Sequence, residues 1–331
     1  MKVLYPTFQS SFSTADGGER HELDYYLREF IRDCSVTNSW SASTIRSSHV
    51  LASHLHRFGQ ARDLEFFDQE GLDRYVLYLR RETRMQESSC RKQFKNLRWF
   101  LLWAIRKGFT QETAVLSYRP KFKVVEKPVI FLSPDELSRL YHFPIPQGRP
   151  ELERVRDLFC FCAFTSLRYS DMVGLRRGDI REGALHVVTK KTIDRIRIEL
   201  VPQAQAILDK YADRHFPEDR ALPYMPNQRM NDLLKELCRL CGLDTPIREV
   251  YYRNGRREER LVPKWAKMTT HAGRRTFICF ALANGIPPQV VMKWTGHADY
   301  QSMQPYIDVA ERTRLEAMLR LGKVWEESLG G

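Results

Sequence analysis

From Tyr118 to Pro128 the chain runs Tyr-Arg-Pro-Lys-Phe-Lys-Val-Val-Glu-Lys-Pro, a basic stretch with prolines near both ends and no helical period. Proline lacks the backbone donor that a helix or inner strand needs, and it pushes the residue before it toward extended conformation. The stretch therefore reads as an extended linker over residues 116–128 and divides the chain into two folding units. The second begins sharply at residue 129, where Ser133 suits a helix N-cap, Pro134 the first helical position, and Glu136 completes a capping box.

Residues 20–115 read as helices and little else. Apolar side chains recur at helical spacing in four groups: Leu23, Tyr26, Leu27, Phe30; Val50, Leu51, Leu55, Phe58; Leu72, Tyr75, Val76, Leu79; and Leu97, Phe100, Leu101, Ala104. Four helices follow, and two consecutive ones carry Arg80, Arg81, Arg84, Arg91, Lys92, Lys95 and Arg98, dense enough to lay one face along a phosphate backbone. Residues 129–331 are mixed. A helix from about Leu152 to Ser166 is apolar on most sides and should be buried, while Ala184 to Thr189 and Arg195 to Val201 alternate as a β-hairpin with Lys190 and Lys191 at its tip. Asn254-Gly255 marks a second turn, with Arg253, Arg256, Arg257 and Arg260 around it as further candidates for DNA contact. The fold class is mainly α with a small β-sheet, an α+β chain in two domains preceded by an extension of residues 1–19.

A net charge of +12 is the footprint of a protein that displaces counterions from nucleic acid. No apolar run is long enough to span a bilayer, and Met1-Lys2 opens no secretory signal, so a cytoplasmic, nucleoid-associated protein is expected. Seven scattered cysteines form no disulfide framework. Cys238 and Cys241 have the spacing of half a zinc site, but they lack a second ligand pair and sit among Leu233, Leu234, Leu237 and Leu240, so no metal and no cofactor is expected.

The chemistry concentrates in the last half of the chain. Arg168 follows directly on the apolar helix, where a guanidinium is costly to bury without an anion or carboxylate, and Asp171 or Asp179 could pair with it. His271 and Arg274 lie one turn apart on a helix opened by Thr270, whereas Arg275 points about 100° away and reads as structural or as a backbone contact. Thr295-Gly296-His297 ends a short helix begun at Pro287-Pro288, and Tyr306 follows nine residues later. Two guanidiniums and two imidazoles can hold the charge of a pentacoordinate phosphorus while a phenol attacks in line.

This order of Arg, hairpin Lys, His-x-x-Arg, Gly-His and Tyr resembles the tyrosine recombinases, also called phage integrases, and the resemblance runs from about residue 20 to residue 325. It implies a core-binding, SAM-like helical domain that clamps DNA with a catalytic domain, and it implies that the linker's Lys121 and Lys123 touch the backbone as it passes. Arg168, His271, Arg274 and His297 would grip the scissile phosphate, Asp171 would steady the site, and Tyr306 would form a 3′-phosphotyrosine. The hairpin lysine would protonate the departing 5′ oxygen; Lys191-Thr192 fits the family's Lys-Thr-Gly best, yet Ile193 replaces the glycine and leaves Lys190 as the alternative. Ser166 likewise replaces a common glycine before Arg168. Tyr300, three residues after His297, fits no family pattern.

The resemblance further implies strand exchange through a four-way junction, on duplex DNA with inverted-repeat core sites, by a protein that is monomeric in solution and tetrameric on DNA. The segment from Val309 to Leu321, followed by Val324-Trp325, would dock onto a neighbouring protomer. Residues 1–19 are shorter than the arm-binding domain of many integrases, and Trp294 to Val309 is most similar to recombinases of Bacteroides-type mobile elements. A type IB topoisomerase-like nicking and closing enzyme shares the chemistry, but the separate helical domain and the Gly-His motif argue against it. An inactive DNA-binding relative is disfavoured because every catalytic position is filled.

Overall fold

The structure, a computed structural model, describes residues 21–311 together with Met318; the expected N-terminal extension and most of the C-terminal tail lie outside the described residues. It divides into two units, one of residues up to Glu126 with Val250–Glu259, the other of Lys127–Glu249 with the residues from Arg260 onward.

In the first unit the apolar stripes become four helices, α1 (Leu23–Thr37), α2 (Ala42–Phe58), α3 (Gln69–Arg81) and α4 (Glu87–Arg106), followed by a single turn, α5 (Ala114–Ser117). Ser41 caps α2 by accepting from the Thr44 N–H, and Gly59 stops it with a φ of 68°. Phe30, Leu51, Leu72, Tyr75 and Phe100 fill the core. The stripe on α2 is narrower than its spacing predicts, because Val50 stays 39% exposed while Leu51, Leu55 and Phe58 turn inward.

The basic cluster separates into two kinds of residue. Arg81, Arg84, Arg91, Lys92 and Lys95 are exposed. Arg98 instead donates to the carbonyls of Val115 (2.6 Å), Leu116 and Tyr118, so its fork secures the end of α5. Arg80 pairs with buried Glu87 at 3.2 Å, donates to the Lys121 carbonyl and lies over the Phe122 ring. These two guanidiniums have their donors committed within the protein and leave the surface set expected for DNA.

The second unit is organised around one buried helix. After α6 (Pro134–Tyr141), whose Ser133–Glu136 capping box forms as the sequence predicts, comes α7 (Pro150–Thr165), with Leu152, Val155, Leu158, Phe159 and Phe161 fully buried. The one-turn α8 (Tyr169–Met172) leads to an antiparallel sheet of β1 (Ile180–Arg181), β2 (Ala184–Val188) and β3 (Arg195–Glu199). Leu185 opposes Ile198 and Val187 opposes Ile196, all buried, while Arg195, Arg197 and Glu199 alternate outward. Strand β1 is too short for sequence periodicity to reveal. Helices α9 (Pro202–Lys210) and α10 (Asn227–Leu240) cover α7, and Cys238 and Cys241 pack in this core. A long hairpin, β4 (Pro246–Arg253) and β5 (Arg256–Pro263), is followed by α11 (Lys264–Lys267), α12 (Thr270–Ala283) and α13 (Pro288–Thr295).

Helix α12 packs directly on α7, and Gly273 is the reason it can. A Cβ there would lie 3.0 Å from the Phe159 carbonyl oxygen and 3.1 Å from the Cys162 Cβ. This backbone-close crossing carries Arg274 to the end of α7 where Arg168 emerges.

The hairpin between β2 and β3 turns through Ile193 at φ 59°, with its side chain 78% exposed. A β-branched residue is strained in the left-handed region, which glycine enters freely. Ile193→Gly is therefore expected to stabilise the protein by about 1 kcal/mol, read as a shift in the denaturant midpoint. An unchanged midpoint would show that the turn carries no such strain.

Candidate active site

Helix α7 ends at Ser166, whose φ of 61° is the left-handed cap that ordinarily favours glycine. Here the serine hydroxyl compensates by donating to the Trp294 carbonyl at 3.2 Å, and the Ser166 carbonyl accepts from Arg274 Nη1 at 3.0 Å. The reversal throws Arg168 into the N-cap position of α8. Its Nη2 donates weakly to the Gly296 carbonyl at 3.4 Å, and its Nη1 is buried without a partner.

Asp171 does not neutralise Arg168, as the sequence reading allowed. It sits buried at the end of α8, where its Oδ1 accepts from the Lys190 N–H at 2.9 Å and its Oδ2 has no partner. Its placement within α8 directs the carboxylate at the lysine hairpin rather than at the guanidinium. Asp179 is engaged elsewhere, accepting from the Arg176 N–H at 2.9 Å.

Arg274 is 2% exposed, among the largest fully buried side chains of the molecule. Its donors reach the Ser166 and Thr295 carbonyls and, at 3.2 Å, the Nε2 of His297. Burial and then the neighbouring Arg168 charge lower its pKa to about 10, so it remains charged at pH 7.

His297 follows the left-handed cap Gly296 at the end of α13. Its ring is oriented by Thr295, whose hydroxyl lies 2.9 Å from Nδ1 and donates to the Val291 carbonyl at 2.8 Å. With that hydrogen committed, Nδ1–H donates to the threonine and Nε2 is left to accept from Arg274. Thr295 is thus an orienting residue to which the sequence reading gave no role; the only signal was a threonine directly before the Gly-His.

His271 lies on the first turn of α12, within the positive field of Arg275, Arg274, Arg168 and Lys191. Desolvation first, then these charges, lower its pKa to about 4; desolvation followed by Arg274 and Arg168 does the same to His297. Both rings are therefore neutral at pH 7. The unfolded chain takes up protons near pH 6.5 and the folded chain only near 4, so acidification favours unfolding across that window. The melting temperature is expected to fall between pH 7 and pH 4 more steeply in the wild type than in a His271→Asn, His297→Asn double variant; parallel profiles would contradict this account.

The two hairpin lysines diverge. Lys190 turns its ammonium against Gly174, where a Cβ would sit 2.6 Å from Nζ. Lys191 is exposed and near enough to depress His271. Tyr306 lies in the helical segment 304–311, its ring packed against the small cluster of Ile278, Leu282, Val291 and Met303. Its ring centroid is 6.4 Å from that of His297, and its hydroxyl interacts electrostatically with Arg274. Tyr300 is 48% exposed in a separate 3-10 turn. Arg168, Arg274, His271, His297, Lys191 and Tyr306 thus converge, while Lys190 and Asp171 support the hairpin's base.

The arginines of the second hairpin are mostly paired with glutamates. Arg253 meets Glu258 at 3.2 Å and lies over Tyr251, Arg257 meets Glu259 at 3.1 Å, and Arg260 meets Glu249 at 2.9 Å. Arg256 is exposed, as is Lys121, while Lys123 places its ammonium 5.2 Å from the Tyr252 ring. Alternating Arg and Glu across a hairpin makes ion pairs, which a count of arginines does not anticipate.

Residues 23–124 match the model of the phage integrase SAM-like domain. A probable integrase/recombinase of Aquifex aeolicus (strain VF5) is 22% identical over 340 residues, covering 90% of this chain and 98% of that protein. Among solved structures, a lambda integrase tetramer bound to a Holliday junction superposes with a TM-score of 0.63 at 16% identity, over 84% of this chain and 78% of its own. The Tn1549 transposon integrase in complex with circular intermediate DNA gives 0.61 at 14% identity, over 85% and 94%. Residues 130–313 match the model of the phage integrase family, more than half of the 331 residues and the same span that holds the converging side chains; the chain belongs to that family.

Proposed function

We propose that this protein is a tyrosine site-specific recombinase that cuts and rejoins duplex DNA at inverted-repeat core sites. The observation that carries this reading is a pair of guanidiniums, Arg168 with an unpartnered buried Nη1 and Arg274 almost wholly buried, neither of which forms an ion pair with a carboxylate among the described residues, Asp171 reaching Arg274 only through its field. Buried cations without a paired carboxylate call for an external anion, and a phosphodiester supplies it.

In the step this supports, the Tyr306 oxygen forms a bond to phosphorus as the bond from phosphorus to the 5′ oxygen breaks. Lys191 gives its proton to that oxygen. The phenol's proton passes to a neutral imidazole, and His271 has the stronger case, because both nitrogens of His297 are engaged by Thr295 and Arg274. One phosphodiester replaces another, so attack by a 5′ hydroxyl from a partner duplex reverses the step and exchanges strands.

The exposed Arg81, Arg84, Arg91, Lys92 and Lys95, with Arg256 and Lys121, supply phosphate contacts. Similarity to a transposon integrase bound to DNA and to a lambda integrase tetramer bound to a Holliday junction supports a mobile-element recombinase that is tetrameric on DNA; a monomer in solution and action at the nucleoid complete the same reading. No helix among the described residues is long and apolar enough to cross a membrane. The test is a nicked duplex carrying candidate sites, incubated with the protein and resolved in SDS. A stable adduct whose DNA-linked peptide contains Tyr306 supports the reading, and no adduct on a site the protein demonstrably binds points to an inactive DNA-binding relative.

A further inference from the structure

One buried threonine fastens the hairpin that carries Lys191 through its hydroxyl and sets its methyl beside the turn that presents His297. Thr189 follows β2 directly and is 1% exposed. Its N–H donates to the Asp194 carbonyl at 2.9 Å, and its carbonyl accepts from the Ile193 N–H at 3.0 Å. Its Oγ1 accepts from the Asp194 N–H at 3.2 Å and lies 2.8 Å from the Thr192 hydroxyl. With the Asp194 N–H occupying a lone pair, the Thr189 hydroxyl is free to donate to Thr192. Residues 190–194 are thereby closed into a loop by four contacts that all return to one residue.

The same threonine faces the other half of the site. A Cβ on Gly296 would meet Thr189 Cγ2 at 3.8 Å and Asp194 Oδ2 at 3.6 Å, so the loop's base rests on the glycine immediately before His297. Asp171 holds the Lys190 N–H from the opposite side. Lys191 is the residue between these fastenings, and its own side chain is exposed, so its direction is set by the loop rather than by packing. A glycine at position 193 would leave that loop pliable; Ile193 at positive φ makes it depend more heavily on its hydrogen bonds.

We propose that Thr189 is a positioning residue for proton delivery: its hydroxyl fixes the loop so that the Lys191 ammonium is presented to the departing 5′ oxygen. The proposal rests on the reading of Lys191 as the general acid. It predicts a defect confined to leaving-group protonation, with phosphate binding and nucleophilic attack by Tyr306 intact.

The experiment compares adduct formation on two nicked duplexes, one with the ordinary 5′ oxygen and one with sulfur bridging at the scissile position. A thiolate leaves without a proton, so a missing general acid slows only the oxygen substrate. Thr189→Val keeps the volume and removes the hydroxyl; it is expected to cut the oxygen substrate about tenfold or more slowly, yet the sulfur substrate within about threefold of wild type. Thr189→Ser is expected to restore the oxygen rate. Equal slowing on both substrates, or a wild-type rate on oxygen, overturns the proposal. Lys191→Ala separates the two layers: rescue by sulfur upholds the lysine reading and leaves Thr189→Val to decide, whereas equal slowing removes the lysine reading and this proposal together. If melting shows that Thr189→Val does not fold, Thr192→Val removes the other member of the hydroxyl pair from an exposed position. Selective slowing of its oxygen substrate supports the proposal, and a wild-type rate overturns it.

Discussion

Tyr306→Phe is expected to abolish the covalent adduct, lowering its rate of formation by about 10⁴-fold or more, while affinity for the same duplex stays within about twofold. The large effect follows from the loss of the only atom able to bond to phosphorus in the proposed step. The small one follows from packing, since phenylalanine keeps the ring against the apolar cluster that includes Met303, Leu282 and Val291. Gel-shift titration and SDS-resistant adduct yield, measured on the same preparation, separate the two quantities. Adduct formation by the phenylalanine variant would falsify the assignment of Tyr306 and bring Tyr300 forward, exposed in its separate turn.

Arg274→Lys is expected to slow adduct formation by about 10²–10³-fold even though the charge is retained. The guanidinium already holds the Ser166 and Thr295 carbonyls and the His297 ring, and its fork reaches these partners from a plane that an ammonium cannot reproduce. A lysine here leaves at least one buried carbonyl without a donor, so a stability loss of about 1–3 kcal/mol accompanies the kinetic one. Single-turnover cleavage and denaturant unfolding measure the two effects. A rate within threefold of wild type would mean that position 274 contributes charge alone.

Much of this was legible before any coordinates. The capping box at Ser133 and Glu136, the apolar run of α7 and the period-two alternation around Ile196 and Ile198 each follow from local physics, and each element forms where its signal lies. The converging side chains were legible because the resemblance fixes their order along the chain. What escaped are the facts that depend on a distant partner. A sequence displays the charge of Arg98 but not the three carbonyls that absorb its donors, and it displays Arg253 and Arg260 without the strand pairing that sets Glu258 and Glu249 beside them. Asp171 was expected to accompany Arg168 because it is three residues away, yet the cap at Ser166 aims it at the Lys190 backbone instead. Ser166 and Ile193, read as departures from glycine, prove to occupy the positive φ that glycine ordinarily fills; Ser166 is compensated by a hydrogen bond, and Ile193 stands exposed on its turn.

The close crossing at Gly273 divides the site by how its parts can move. With a helix backbone seated against the Phe159 carbonyl, α12 and α7 have no clearance to slide past one another, so the spacing between Arg168 and Arg274 is a property of the core rather than of its surroundings. Lys191 and Tyr306 are carried outside that crossing, by a five-residue loop and by the helical segment 304–311 on its own small apolar cluster. On the proposed reading, control of the reaction would fall to the lysine and the tyrosine, because the two arginines between them are held by helices packed backbone to backbone.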